Sequence, residues 1–247
     1  MAAVTLLETA ALARRFGGLQ AVDGVSFRLA AGEIRAIIGP NGAGKTTLVG
    51  MISGRVRPSA GTIAFKGRGI TRLSAWERVM RGIVYTFQIT SIYPNLTCYE
   101  NVALAAQRRL MGGFLDRLTL GEARIAARVE TALGRVGLAA STDGRADALP
   151  YGHQRLVEVA MGLALEPELL ILDEPTQGLA PEEISEFCGL IRQIAQDATV
   201  LLIEHNLSVV LELAQQITVM DRGAILAEGT PAEIERHPEV QRAYLGS

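Results

Sequence analysis

The run GPNGAGKT at 39–46 constrains this chain more than any other feature. The segment before it, 33–38, is rich in β-formers. The segment after it keeps helical spacing through TTLVGMIS and stops at Gly54. The spacing G-x-x-x-x-G-K-[ST] between a strand and a helix is that of a loop that wraps a chain of phosphates. Glycines at 39, 42 and 44 let the backbone turn its N–H groups inward, and the helix after them points its positive end at the same anion. Lys45 adds a formal charge toward the β- and γ-phosphates, and the Thr46 hydroxyl can ligate Mg²⁺. A plain glycine turn needs neither the lysine nor the threonine. Gly39, Pro40, Asn41, Gly42, Ala43, Gly44, Lys45, Thr46 and Thr47 are therefore expected to hold a nucleoside triphosphate.

How the triphosphate is used depends on other residues. LLILD at 169–173 is a buried-type strand that ends in a carboxylate. Asp173 is expected to hold the Mg²⁺ shell, and Glu174 to orient or deprotonate water. Strands often end in acids, so this pair gains its meaning from the phosphate loop.

The chain has 247 residues, 49% of them hydrophobic and 20% charged, which is ordinary globular composition. Its net charge of −2 offers no general basic footprint, so nucleic acid is not expected as a partner. A mean hydropathy of +0.23 raises the question of a membrane span. The most apolar segments, IRAIIG, LLILD and TVLLIEH, are strand-length, against the roughly 20 residues a crossing helix needs. Glu8 interrupts the first apolar stretch and Arg14 and Arg15 come after it, the reverse of a secretory signal. Cys98 and Cys188 stand apart, with no metal or disulfide spacing. A cytoplasmic protein is expected.

Strands are expected over 5–12, 22–29, 33–38, 62–65, 169–173, 199–204, 217–220 and 224–227, and helices over 45–53, 181–196 and 207–215. Residues 98–140 are Ala-, Leu- and Arg-rich with helical periodicity, and a further helix is expected after the breakers at 150–152. Strand and helix alternate, which points to an α/β fold with a mainly parallel sheet.

Four more motifs occur in order, and with them the chain resembles an ABC transporter nucleotide-binding subunit over nearly its whole length. Gln88 in YTFQ resembles the Q-loop glutamine. LPYGHQ at 149–154 resembles the signature motif, GLAP at 178–181 the D-loop, and His205 after TVLLIE the switch histidine. Phe16 stands where the family places an aromatic against adenine. Taken singly, Gln88, His205 and Phe16 read as surface, capping and core residues.

The resemblance implies a P-loop NTPase with a RecA-like parallel-sheet core, an N-terminal antiparallel β subdomain and an inserted α-helical subdomain. The nucleotide-binding lobe would be 1–88 and 161–247, and the helical subdomain 89–160. It implies Gln88, Glu174 and His205 as catalytic residues and Thr46, Gln88 and Asp173 around Mg²⁺. It further implies a head-to-tail dimer in which Tyr151, Gly152 and His153 meet the partner's ATP. The stretch ITSIYPNLTCYENV would receive two membrane permease subunits, with a periplasmic solute-binding protein behind them, and the chain would sit on the inner face of the membrane. Leu96 and Val102 in that stretch also suit subdomain core, the run 89–93 less so.

Two positions depart from the family pattern. Pro150 stands where a serine usually donates to the partner's γ-phosphate, and Ala180 stands where Asp is common in the D-loop. Proline suits the first turn of a helix, so Pro150 capping the signature helix outranks a degenerate site. The Tyr-bearing signature and the ending ILAEGTPAEIERHPEVQRAYLGS most resemble the longer ATP-binding subunit of branched-chain amino acid importers. Urea or amide import, lipopolysaccharide export, a soluble ABC ATPase and a weak nucleotide-binding module are the alternatives.

Overall fold

The computed structural model describes residues 4–86, 92–110 and 122–242. The strands β1 (Thr5–Phe16) and β2 (Leu19–Ala30) form one long antiparallel hairpin. Gly17, at φ +57, takes the turn that Gly18 completes, so this glycine pair joins the strands where the sequence suggests a break between short ones. On the other side of β1 lies β4 (Ala60–Phe65), then β5 (Arg68–Gly69), in the order β2-β1-β4-β5.

The second sheet runs β10 (Ala224–Gly229), β9 (Gln216–Asp221), β3 (Ile34–Ile38), β8 (Thr199–Ile203), β7 (Leu169–Asp173) and β6 (Ile83–Thr86). Its pairings are parallel except for β10 on β9. Every residue of β3, β7 and β8 is buried, because both faces of the sheet are covered. This is why these strands read in the sequence as unbroken apolar runs. Parallel strands also bring the loops at their C-terminal ends to one edge of the sheet, the usual place for a ligand crevice.

The α-helices among the described residues are α1 (Lys45–Ser53), α2 (Ala75–Val79), α3 (Cys98–Leu110), α4 (Glu122–Arg135), α5 (Tyr151–Leu163), α6 (Pro181–Ile194), α7 (Leu207–Leu213), α8 (Pro231–Arg236) and α9 (Pro238–Val240). Val102 of α3, Val129 and Leu133 of α4 and Val157 and Ala160 of α5 share a core that continues into Leu170 and Leu172 of β7. A second core holds Leu7 and Phe27 of the antiparallel sheet, Leu48 and Ile52 of α1, and Ile171 and Ile203 of the parallel sheet.

Helix α2, too short to show a period in the sequence, begins with a capping box. Ser74 N–H donates to Glu77 Oε2 at 2.8 Å, and Glu77 N–H to Ser74 Oγ at 3.3 Å. The helix serves to aim Arg78, which is 1% exposed. Its Nη1 donates to the Met51 and Ile52 carbonyls at 2.5 and 2.7 Å, satisfying the last turn of α1. Burial lowers this guanidinium to about 10.

Candidate nucleotide site

The loop between β3 and α1 turns at Gly39, Gly42 and Gly44, all at positive φ, but two of these glycines are required for a reason other than the one the sequence suggests. A Cβ on Gly39 would stand 2.1 Å from the Met220 carbonyl oxygen, and one on Gly44 2.3 Å from that of Ala21. Those positions are held by the close passage of neighbouring backbone, not by space for a phosphate. Gly42, at φ +81, has nothing within 4 Å of its missing Cβ. There the conformation alone calls for glycine.

Lys45 is 6% exposed and donates from Nζ to the carbonyls of Gly39, at 2.7 Å, and Pro40, at 3.1 Å. The ammonium is thus pinned beneath the first turn of α1, whose leading N–H groups have no intrahelical acceptor. Burial draws the Lys45 pKa down, while Glu174 and Asp173 pull it back up.

A cavity of about 670 Å³ opens over this loop. Phe16, Asn41 to Thr47, Glu174 and His205 line it, so residues from four separate stretches of sequence converge on one cavity. Phe16 is 43% exposed, with the Arg14 guanidinium 4.3 Å from its ring centroid. Leu19, Gln20, Ala21 and Arg222 also line the cavity, though no sequence pattern marks them. Arg222 sits at φ +46 in the β9–β10 turn.

At the floor, Asp173 ends β7 and is 2% exposed. Tyr85 Oη donates to its Oδ2 at 2.5 Å, whereas Oδ1 is buried with no hydrogen-bond partner. Burial pushes the Asp173 pKa up, against the Tyr85 hydrogen bond, which lowers it. Burial, reinforced by the bond to Asp173, raises that of Tyr85. The Arg55 guanidinium stacks 4.4 Å from the Tyr85 ring centroid. Glu174 takes the left-handed conformation at φ +50, with its N–H on the Ile203 carbonyl at 2.8 Å. Its Oε1 is hydrogen-bonded to His205 Nε2.

A buried Mg²⁺ ligand should be an oxygen free of other partners, and Asp173 Oδ1 meets that condition. Among the described residues no cluster of three or more His, Cys, Asp or Glu could hold a metal unaided. That suits a cation which takes one carboxylate and completes its shell with water and phosphate oxygens.

Tyr151, Gly152 and His153 open α5 behind Pro150, the residue at the N-cap, and do not line this cavity. Tyr151 is 44% exposed and its ring lies against Gly178. A Cβ on Gly152 would meet Glu183 Oε1 at 2.4 Å. The signature-like and D-loop-like segments therefore touch within one chain. Gln88 and residues 89–91 of the expected docking stretch lie outside the described residues. Beyond them Tyr93 is 55% exposed, Leu96 is half-buried, and Val102 is core, as expected of the last. The fully buried Asn101 organises this loop, accepting from Tyr93 N–H at 2.7 Å and donating to the Tyr93 and Thr97 carbonyls.

No helix among the described residues is long and apolar enough to cross a membrane. The ABC transporter family model matches residues 22–177, and that of the branched-chain amino acid ATP-binding cassette transporter matches 224–247. The high-affinity branched-chain amino acid transport ATP-binding protein LivG of Salmonella typhimurium is 39% identical, over 98% of both chains. The lipopolysaccharide export system ATP-binding protein LptB of Acidithiobacillus ferridurans is 34% identical, over 98% of this chain and 97% of its own. A crystal structure of an ABC transporter ATP-binding cassette in its ADP conformation superposes with a TM-score of 0.87 at 29% identity, covering 99% of this chain and all of its own. With the site geometry and these full-length matches together, the chain belongs to the ABC transporter family, as an ATP-binding subunit that hydrolyses ATP.

Proposed function

We propose that this chain energises the import of branched-chain amino acids, hydrolysing ATP in the 670 Å³ cavity. The observation that carries the site assignment is the convergence of Lys45, Glu174 and His205 on one cavity with Asp173 beneath it. Lys45 and the N–H groups of Gly42 to Thr46 bind the phosphates. Thr46, Asp173 Oδ1 and Gln88 would hold Mg²⁺, which would supply charge neutralisation at the phosphate oxygens. Glu174 takes the proton from the attacking water. His205 Nε2 is engaged by Glu174, so the same nitrogen can turn to a phosphate only when that contact opens. Phe16 stacks on adenine.

Removing the Lys45 ammonium deletes a charge-assisted contact of about 1.5–3 kcal/mol, so Lys45→Ala should bind ATP roughly ten- to a hundred-fold more weakly by titration calorimetry. Unchanged affinity would displace the assignment. Tyr85→Phe frees Asp173 Oδ2 and loosens the carboxylate. The Mg²⁺ concentration giving half-maximal ATP binding should then rise several-fold, with ATP affinity in EDTA unchanged.

Membership in the family implies membrane permease partners and dimerisation. We infer two permease subunits, a second ATP-binding subunit meeting Tyr151, Gly152 and His153, and a location on the inner membrane face. Residues 1–88 and 161–247 form the nucleotide lobe, and 89–160 the helical one. The match over 224–247 and the higher identity to LivG favour amino acid import over lipopolysaccharide export. Tagged chain drawn from detergent-solubilised membranes should carry two membrane-spanning subunits with it. Recovery as free chain would favour the soluble-ATPase reading.

A further inference from the structure

Glu204 comes directly after β8 and is 3% exposed, yet its carboxylate has no cationic partner among the described residues. An ionised carboxylate so deeply buried is tolerated only when hydrogen bonds replace its water. Four do. Oε1 accepts from Thr176 N–H at 3.0 Å and from Thr176 Oγ1 at 2.5 Å. Oε2 accepts from His205 N–H at 3.0 Å and from Asn206 N–H at 3.1 Å. One oxygen holds the loop after β7, the other the loop after β8.

Both loops carry site residues. The β7 loop begins with Glu174 and runs on through Gly178, against Tyr151, to Ala180, whose N–H is capped by Glu183. The β8 loop presents His205 to Glu174. We propose that Glu204 is a positioning residue that fastens the His205 segment to Thr176, so that His205 keeps its geometry against Glu174. This rests on the reading of Glu174 and His205 as the hydrolytic pair. Glutamine would keep the size of the side chain but replace one acceptor oxygen with an NH₂ group. At least one backbone N–H donor would then face another donor.

The test is a double-mutant cycle on ATP hydrolysis with purified protein. Glu204→Gln should lower kcat about ten- to a hundred-fold with KM for ATP changed less than about twofold. In a His205→Ala background the same change should cost less than about twofold, because the group it positions is gone. A general weakening of the fold would cost the same in both backgrounds. Thr176→Val, which removes only the hydroxyl donor, should move kcat in the same direction by a smaller factor, and keeps the test open if Glu204→Gln does not fold. Equal losses in both backgrounds, or full activity of Thr176→Val and Glu204→Gln, would overturn the proposal. Full activity of His205→Ala would instead overturn the reading of the hydrolytic pair.

Discussion

Glu174→Gln is expected to keep ATP bound while hydrolysing it about 10²–10⁴ times more slowly than the wild type, the range a general base supplies. The side chain is nearly isosteric and its backbone is held independently, by its N–H on the Ile203 carbonyl. The phosphate loop, Lys45 and Asp173 are untouched, so affinity should hold. The acceptor for the water's proton is lost. The substitution also replaces the carboxylate that engages His205 Nε2 with an amide, so the imidazole should turn more freely. Phosphate release and equilibrium binding of ATP, measured on one preparation, separate these effects.

Gly44→Ala should do severe damage to the fold around the site. A methyl group there must fit at φ +98 and 2.3 Å from the Ala21 carbonyl oxygen, which belongs to a sheet strand and cannot withdraw alone. Left-handed strain costs a non-glycine residue about 1–3 kcal/mol, and overpacking adds about as much again. Unfolding in urea should show a loss of about 3 kcal/mol or more. Gly42→Ala is the control: with φ +81 and open space around the added carbon, it should lose only the conformational part. Equal losses at the two positions would mean that the contact with Ala21 does not govern the loop.

The phosphate loop is legible in the sequence because all its parts lie within eight residues and its spacing encodes the strand-to-helix junction. The strands β3, β7 and β8 are legible because burial on both faces leaves a continuous apolar run. Asp173, with Glu174 after it, ends one such run, and His205 stands one residue beyond the end of another. Partnerships across long stretches of chain leave no local trace. Tyr85 meets Asp173 across 88 residues, and Glu204 meets Thr176 across 28. The one sign of Glu204 is an acid next to the histidine at the end of TVLLIEH, and an acid there reads as solvated until the loop from Thr176 is seen to cover it. Arg78 looks like one more charge in a basic stretch, and only the fold shows it closing the end of α1. The glycine motif announces a loop, but the backbone crossings of Ala21 and Met220 that require Gly44 and Gly39 come from distant strands.

That hydrolysis at this site drives entry of branched-chain amino acids is tested most directly by leucine uptake into proteoliposomes. These would hold the chain with its co-isolated permease subunits, ATP sealed inside and the periplasmic binding protein outside. Uptake is expected with the wild-type chain, competed by isoleucine and valine and lost with Glu174→Gln. Leucine uptake that persists with Glu174→Gln, or ATP turnover that moves some other solute and no leucine, would contradict it.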